Sequence, residues 1–121
     1  MTENRDSGGE NNGDAVIAKR VERKPVQTEE IRELARAAGY EVVAELHQVR
    51  DEDPAYHVGE GKADELAAIV AETGAETVIF DNRLGPYQTY NLGNKLPEGV
   101  ELLDRFTLIL EIFGQRAQTR K

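Results

Sequence analysis

Two kinds of apolar segment alternate along this chain, and the alternation restricts its fold more than any other feature. "AVIAKRV" from Ala15, "YEVVAELHQV" from Tyr40, "ETVIF" ending at Phe80 and the stretch Val100 to Leu103 are short runs rich in β-branched or continuous apolar residues, as strands are. The segments between them carry apolar residues at helical spacing. Thr28 precedes "EEIRELARAAG", which offers a capping hydroxyl, two early carboxylates and the stripe Ile31, Leu34, Ala35 and Ala38 before Gly39. A second helix is predicted from Gly61 or Lys62 to Gly74 with Leu66, Ala67, Ile69 and Val70 inward, and a third from Pro86 to about Leu96. Adjacent parallel strands need a crossover that a helix fills, so the pattern predicts an α/β domain: a small, mainly parallel four-stranded sheet with flanking helices.

The final segment, "FTLILEIFGQRAQTRK", has amphipathic spacing with Phe106, Leu110, Phe113 and Ala117 on one stripe, and Ile109 beside it as a further residue to pack on the sheet. No capping Gly or Pro follows, so the chain reads as the front module of a longer protein, with this helix protruding. The expected organisation is a disordered acidic leader over residues 1–14, an α/β domain over 15–104, and the start of a long helix over 105–121. The chain has 121 residues, enough for one core. It has no signal-like N-terminus and no membrane-length apolar run, which points to the cytoplasm and away from a membrane. The absence of Cys excludes disulfides and thiolate chemistry. A net charge of -8 argues against broad attraction to nucleic acid, DNA included, though it leaves room for a local basic patch.

Right-handed crossovers gather the C-terminal ends of parallel strands along one edge, where open α/β sheets hold ligands. The residues expected there are Tyr56 to Lys62, Asp81 to Arg83, and Asp104 with Arg105. "VGEGK" is the nearest approach to a phosphate cradle: Gly59 and Gly61 permit tight turns, a helix start offers free N–H groups, and Lys62 adds charge. It is not a P-loop, since Ala63 stands where a magnesium-holding hydroxyl belongs, and Glu60 puts an anion where phosphate would sit. The alternative reading is a Gly-rich turn feeding a helix. Asp81, Asn82, Arg83, Asp104 and Arg105 suit a ribose, a phosphate or a metal ion; equally, the two aspartates can cap the turns after their strands and pair with the neighbouring arginines. His47 and His57 lack a second ligand at metal spacing and read as packing or surface residues. Tyr56, Tyr87 and Tyr90 read as packing at the core edge, and Arg116, Arg120 and Lys121 suit either a helix C-terminus or an RNA backbone.

Taken in order, "AYHVGEGKADELAAIVAETGAETVIFDNRLGPYQTYNL" and "LLDRFTLILEIFGQRAQTRK" resemble the N-terminal domain of the HflX family of ribosome-associated GTPases. The resemblance covers residues 15–121 and departs from the family's usual pattern at Glu60, at "LGP" from Leu84 to Pro86, and at Tyr90. It implies parallel strands with flanking helices, joined by a helical hairpin to a GTPase domain that uses GTP and Mg2+. It also implies a partnership of the whole protein with the ribosome, chiefly rRNA of the large subunit, in splitting or rescuing stalled particles. No GTP-binding motif of that domain occurs in this sequence, so no cofactor and no catalytic residue is expected within it. Weak nucleotide binding by the N-terminal domain itself would fall to Gly59, Gly61, Lys62, Asp81, Asn82, Arg83, Asp104 and Arg105.

Overall fold

The structure, a computed structural model, describes residues 12–118, with side-chain environments to residue 114. Eight elements alternate: β1 (Gly13–Val21), α1 (Glu29–Ala37), β2 (Tyr40–Val49), α2 (Glu60–Thr73), β3 (Thr77–Phe80), α3 (Pro86–Lys95), β4 (Glu101–Asp104) and α4 (Arg105–Gln118). The strands form one sheet in the order β2-β1-β3-β4, with every adjacent pair parallel. The predicted α/β class and strand direction hold. The leader is shorter than expected where it can be followed: Asn12 donates from its backbone and side chain to the carbonyls of Gly39 and Ala38, and Gly13 and Asp14 pair with Tyr40 and Glu41 as the first residues of β1. Residues 1–11 lie outside the described residues.

Helices cover both faces of the sheet. Successive side chains of a strand point to opposite faces, so Val16 and Ala18 of β1 join Val78 and Phe80 of β3 against Leu66 and Val70 of α2 and Leu92 of α3. Ala15, Ile17, Ile79 and Leu103 face the other way, against Ile31 and Ala35 of α1 and Leu108 of α4. That is why Val78, Ile79 and Phe80 form a continuous apolar run: all four residues of "TVIF" are buried, Thr77 included. Two helix ends use left-handed glycines, Gly39 at φ 93 after α1 and Gly74 at φ 72 closing α2.

The terminal helix differs from the expected arrangement. Leu108, fully buried, and Ile112 pack on the sheet, whereas Phe106, Leu110 and Phe113 are 53 %, 51 % and 61 % exposed. The cause lies at its start. Asp104 accepts from the backbone N–H of Thr107 at 2.8 Å, and Thr107 Oγ1 accepts from the N–H of Asp104 at 2.8 Å, which sets the helix rotation as the chain leaves β4. The side chains of Arg116 and Ala117, and all of Arg120 and Lys121, lie outside what is described. Among the described residues, no helix is long and apolar enough to cross a membrane.

Candidate functional site

The strand order reverses direction beside β1, so the C-terminal ends of β1 and β3 form the switch point where an open α/β sheet has its natural crevice. The chain closes much of this crevice with its own bonds. Asn82 accepts the N–H of Arg20 at 2.9 Å and donates Nδ2–H to the carbonyl of Arg20 at 2.9 Å, stapling the two strand ends together. Asp81, 8 % exposed, pairs with Lys19 at 2.9 Å and with Arg105 at 3.0 Å. Arg105 also reaches Glu30 at the start of α1, 3.0 Å away.

Alternation along β1 and β3 divides the predicted site residues between the two faces. Lys19, Asp81 and Arg105 lie on the α1/α4 side and line an open hollow of about 410 Å³ with Gln27, Glu29 and Glu30. Gly59, Gly61 and Lys62 belong to the α2 side, where Lys62 pairs with Glu65 at 3.0 Å. Asp104 caps the start of α4 and accepts from the N–H of Leu84 at 3.0 Å, the capping role the sequence allows. Asp81 takes the other role, ion pairing, but its arginine is Arg105 rather than the adjacent Arg83. Arg83 instead lies over the ring of Phe106, 5.4 Å from its centroid.

The glycines of "VGEGK" do not serve the turn expected of them. Neither has a positive φ; Gly59 is extended at φ -62 and ψ 155, and α2 opens at Glu60, one residue earlier than predicted. A Cβ on Gly61 would meet nothing within 4 Å, so no close backbone approach requires glycine there. Gly59 donates its N–H to Gln48 Oε1 at 2.8 Å.

On the other side of the edge His57, read from the sequence as a packing or surface residue, is buried, and so is Gln88, to which the sequence assigned no site role. His57 is 2 % exposed at φ 69, and Arg20 Nε–H donates to its Nε2 at 3.1 Å. Gln88 of α3, also buried, donates to Glu52 at 2.7 Å and to the carbonyl of Asp53 at 2.9 Å. The apolar neighbour Val58 gave a hint that this loop folds inward, but the contacts span 35 or more positions in sequence. Tyr87 and Tyr90, expected at the core edge, are 65 % and 67 % exposed because α3 turns Leu92 and Gln88 inward. No group of three or more metal-ligating side chains is present among the described residues.

Residues 26–114 match the family of GTP-binding GTPase N-terminal domains. The chain belongs to this family. Within it the chain is of the HflX type: it is 43 % identical over 105 residues to the GTPase HflX of Thermococcus kodakarensis, covering 87 % of this chain and 23 % of that protein. It is 49 % identical over 94 residues to GTPase HflX of Thermofilum pendens and 44 % identical over 94 residues to that of Escherichia coli, in each case covering 77 % of this chain and 22 % of the relative. The HflX-type chain therefore spans less than a quarter of the length of the curated relatives it matches. Its fold is also that of a crystal structure of SsGBP in complex with GDP, at a TM-score of 0.66 and 22 % identity over 84 % of this chain and 29 % of that one. A GTP-binding protein from Sulfolobus solfataricus, likewise with GDP, superposes at a TM-score of 0.61 with 25 % identity over 81 % of this chain and 30 % of that one.

Proposed function

We propose that this chain is a non-catalytic interaction module that helps to place an HflX-type GTPase on the large ribosomal subunit, in the cytoplasm, for splitting or rescue of ribosomes. The observation that carries the reading is α4, which is apolar on two sides. Leu108 and Ile112 pack on the sheet, while Phe106, Leu110 and Phe113 repeat at i, i+4 and i+7 on the outside. A helix with two apolar faces suits a position between two bodies, here the module and a GTPase portion of the protein, with Arg116, Arg120 and Lys121 available to that portion or to rRNA. GTP and Mg2+ belong to the GTPase portion in this reading.

A second reading is favoured by the hollow beside Asp81: weak binding of ATP or GTP at the sheet edge, with Asp81 and Arg105 as candidate contacts in the hollow, and with Lys62 and the amides after Gly61 as candidates on the opposite face of the sheet. The internal pairing of Lys19, Asp81, Arg105 and Asn82 supports the module reading over this one, because a ligand would have to replace those bonds. Two binding measurements separate them. The chain should show no sub-micromolar affinity for a labelled GTP analogue, and a longer HflX-type protein lacking this module should keep GTP affinity yet lose affinity for large subunits. Tight GTP binding by this chain that disappears on Lys62→Ala would overturn the module reading.

A further inference from the structure

The connection between β2 and α2, residues 50–59, closes over the end of β1 around a single imidazole. Arg20 Nε–H can only donate, so the His57 Nε2 it meets at 3.1 Å must accept and carry no proton. The neutral ring then holds its proton on Nδ1. That atom is buried, makes no hydrogen bond, and stands 3.5 Å from Glu52 Oε2. Phe80 presses edge-on against the ring, with centroids 6.0 Å apart. The charged groups around it are Arg20 on β1 and Arg50, Glu52 and Asp53 on the connection itself; β3 and α3 contribute the uncharged Phe80 and Gln88.

The loop depends on this ring. His57 sits at φ 69, a conformation that is strained for a non-glycine residue and persists only where its surroundings impose it. Its backbone exchanges two hydrogen bonds with Asp53, at 2.9 and 3.0 Å. From α3, Gln88 donates to the carbonyl of Asp53 and Asn91 donates to that of Ala55 at 3.0 Å. The connection is thus clasped on one side by His57 with Arg20, and on the other by two amide side chains.

We propose that residues 50–59 form a proton-operated latch: neutral His57 holds the loop closed by accepting from Arg20, and its protonation drives the imidazolium away from Arg20 towards Glu52 and opens the loop. A second proton must go to Nε2, which turns an acceptor into a donor facing a donor and sets two cations 3.1 Å apart. Glu52 offers the alternative partner. Its side chain is half exposed, and the Gln88 hydrogen bond, with help from His57 and Arg20, holds its carboxyl below the usual glutamate range, so it stays anionic as His57 titrates. Burial first, and the Arg20 charge second, push His57 below the ordinary histidine value. The closed loop therefore binds fewer protons than the open one, and the closed form weakens as pH falls below about 6.5, by up to about tenfold in the opening constant per pH unit.

Nuclear magnetic resonance of this chain between pH 7.5 and 5 tests the latch. The His57 ring should titrate below the ordinary histidine value, and the amides of Asp53, Ala55, His57 and Val58 should shift with it while exchanging faster. His57→Gln, which can still accept from Arg20 but cannot titrate, should keep the loop closed throughout and abolish the transition. Loop amides that ignore the His57 titration, or a transition that survives in His57→Gln, would overturn the proposal. Should that variant not fold, Glu52→Gln decides: it keeps an acceptor for Gln88 but removes the anion that receives the imidazolium, so the midpoint must move to lower pH, and an unmoved midpoint counts against the latch.

Discussion

Asp81 shows how far the meaning of one residue depends on partners distant in sequence. At the end of β3 it could cap a turn, hold a ligand or pair with a cation, and the sequence left these roles equally open. The sheet decides among them by placing Lys19 on the neighbouring strand and Arg105 at the head of α4, 62 and 24 positions away. Removing the carboxylate charge with Asp81→Asn leaves a largely buried Lys19 without its ion-pair partner, with the carbonyl of Gln27 still accepting from it, and should cost about 1–3 kcal/mol in urea unfolding, between the values of exposed and buried pairs. Arg83→Ala, which loses only an exposed stack on Phe106, should cost less than about 1 kcal/mol. Asp104, by contrast, was readable as a cap because its partner Thr107 is three residues on. Tyr40 supplies a pH effect. Burial, and then the hydrogen bond it donates to Glu111 at 2.9 Å, push its phenol well above the ordinary tyrosine value. A group whose pKa is raised on folding contributes stability below its unfolded value and loses it above, so stability should decline as pH rises past about 10. Tyr40→Phe should flatten that decline when chemical unfolding is followed at successive pH values.

Among the elements, strands and the first two helices were legible because each has one apolar stripe or one apolar run, so periodicity points to one inward face; the extent of α3 was legible from Pro86, but not its inward face, which buries polar Gln88 and exposes Tyr87 and Tyr90. α4 was not, since Phe106, Leu108, Ile109, Leu110, Ile112 and Phe113 supply two overlapping stripes. Periodicity cannot choose between them; the turn at Asp104 and Thr107 does, and it selects Leu108 and Ile112. Leu108→Ala should accordingly destabilise the chain by about 2–5 kcal/mol, whereas Leu110→Ala should cost under about 1 kcal/mol, as measured by equilibrium denaturation. The opening turn of α2 gives the reverse case, a glycine that the fold does not use. With open space where its Cβ would be and a place in a helix, Gly61→Ala should stabilise by up to about 1 kcal/mol. A loss of stability there would mean that the loop needs its glycine after all, and would return attention to the phosphate reading.

At the scale of the whole molecule, the α/β class and the gathering of strand ends along one edge follow from the alternation of elements, while the strand order β2-β1-β3-β4 does not, because nothing local states on which side of β1 the third strand will dock. That order matters, since it puts the switch point between Lys19 with Arg20 and Asp81 with Asn82, the pairs that close the crevice. It also puts β4 at an edge, where a hollow of about 520 Å³ is formed by Leu84, Pro86, Tyr90 and Leu102 with Thr107 at the start of α4. The apolar side chains of the outer stripe of α4 contribute little to the module alone, because they are about half exposed or more. If they form the joint with a GTPase portion, their contribution appears only when that portion is present, as stability linked to docking. Leu110→Asp and Phe113→Asp should therefore leave the melting temperature of this chain nearly unchanged, yet lower that of the module within a longer HflX-type protein and speed hydrogen exchange along the start of α4 there. Equal effects in the two contexts would place the role of the stripe within the module and remove the physical basis for α4 as the joint.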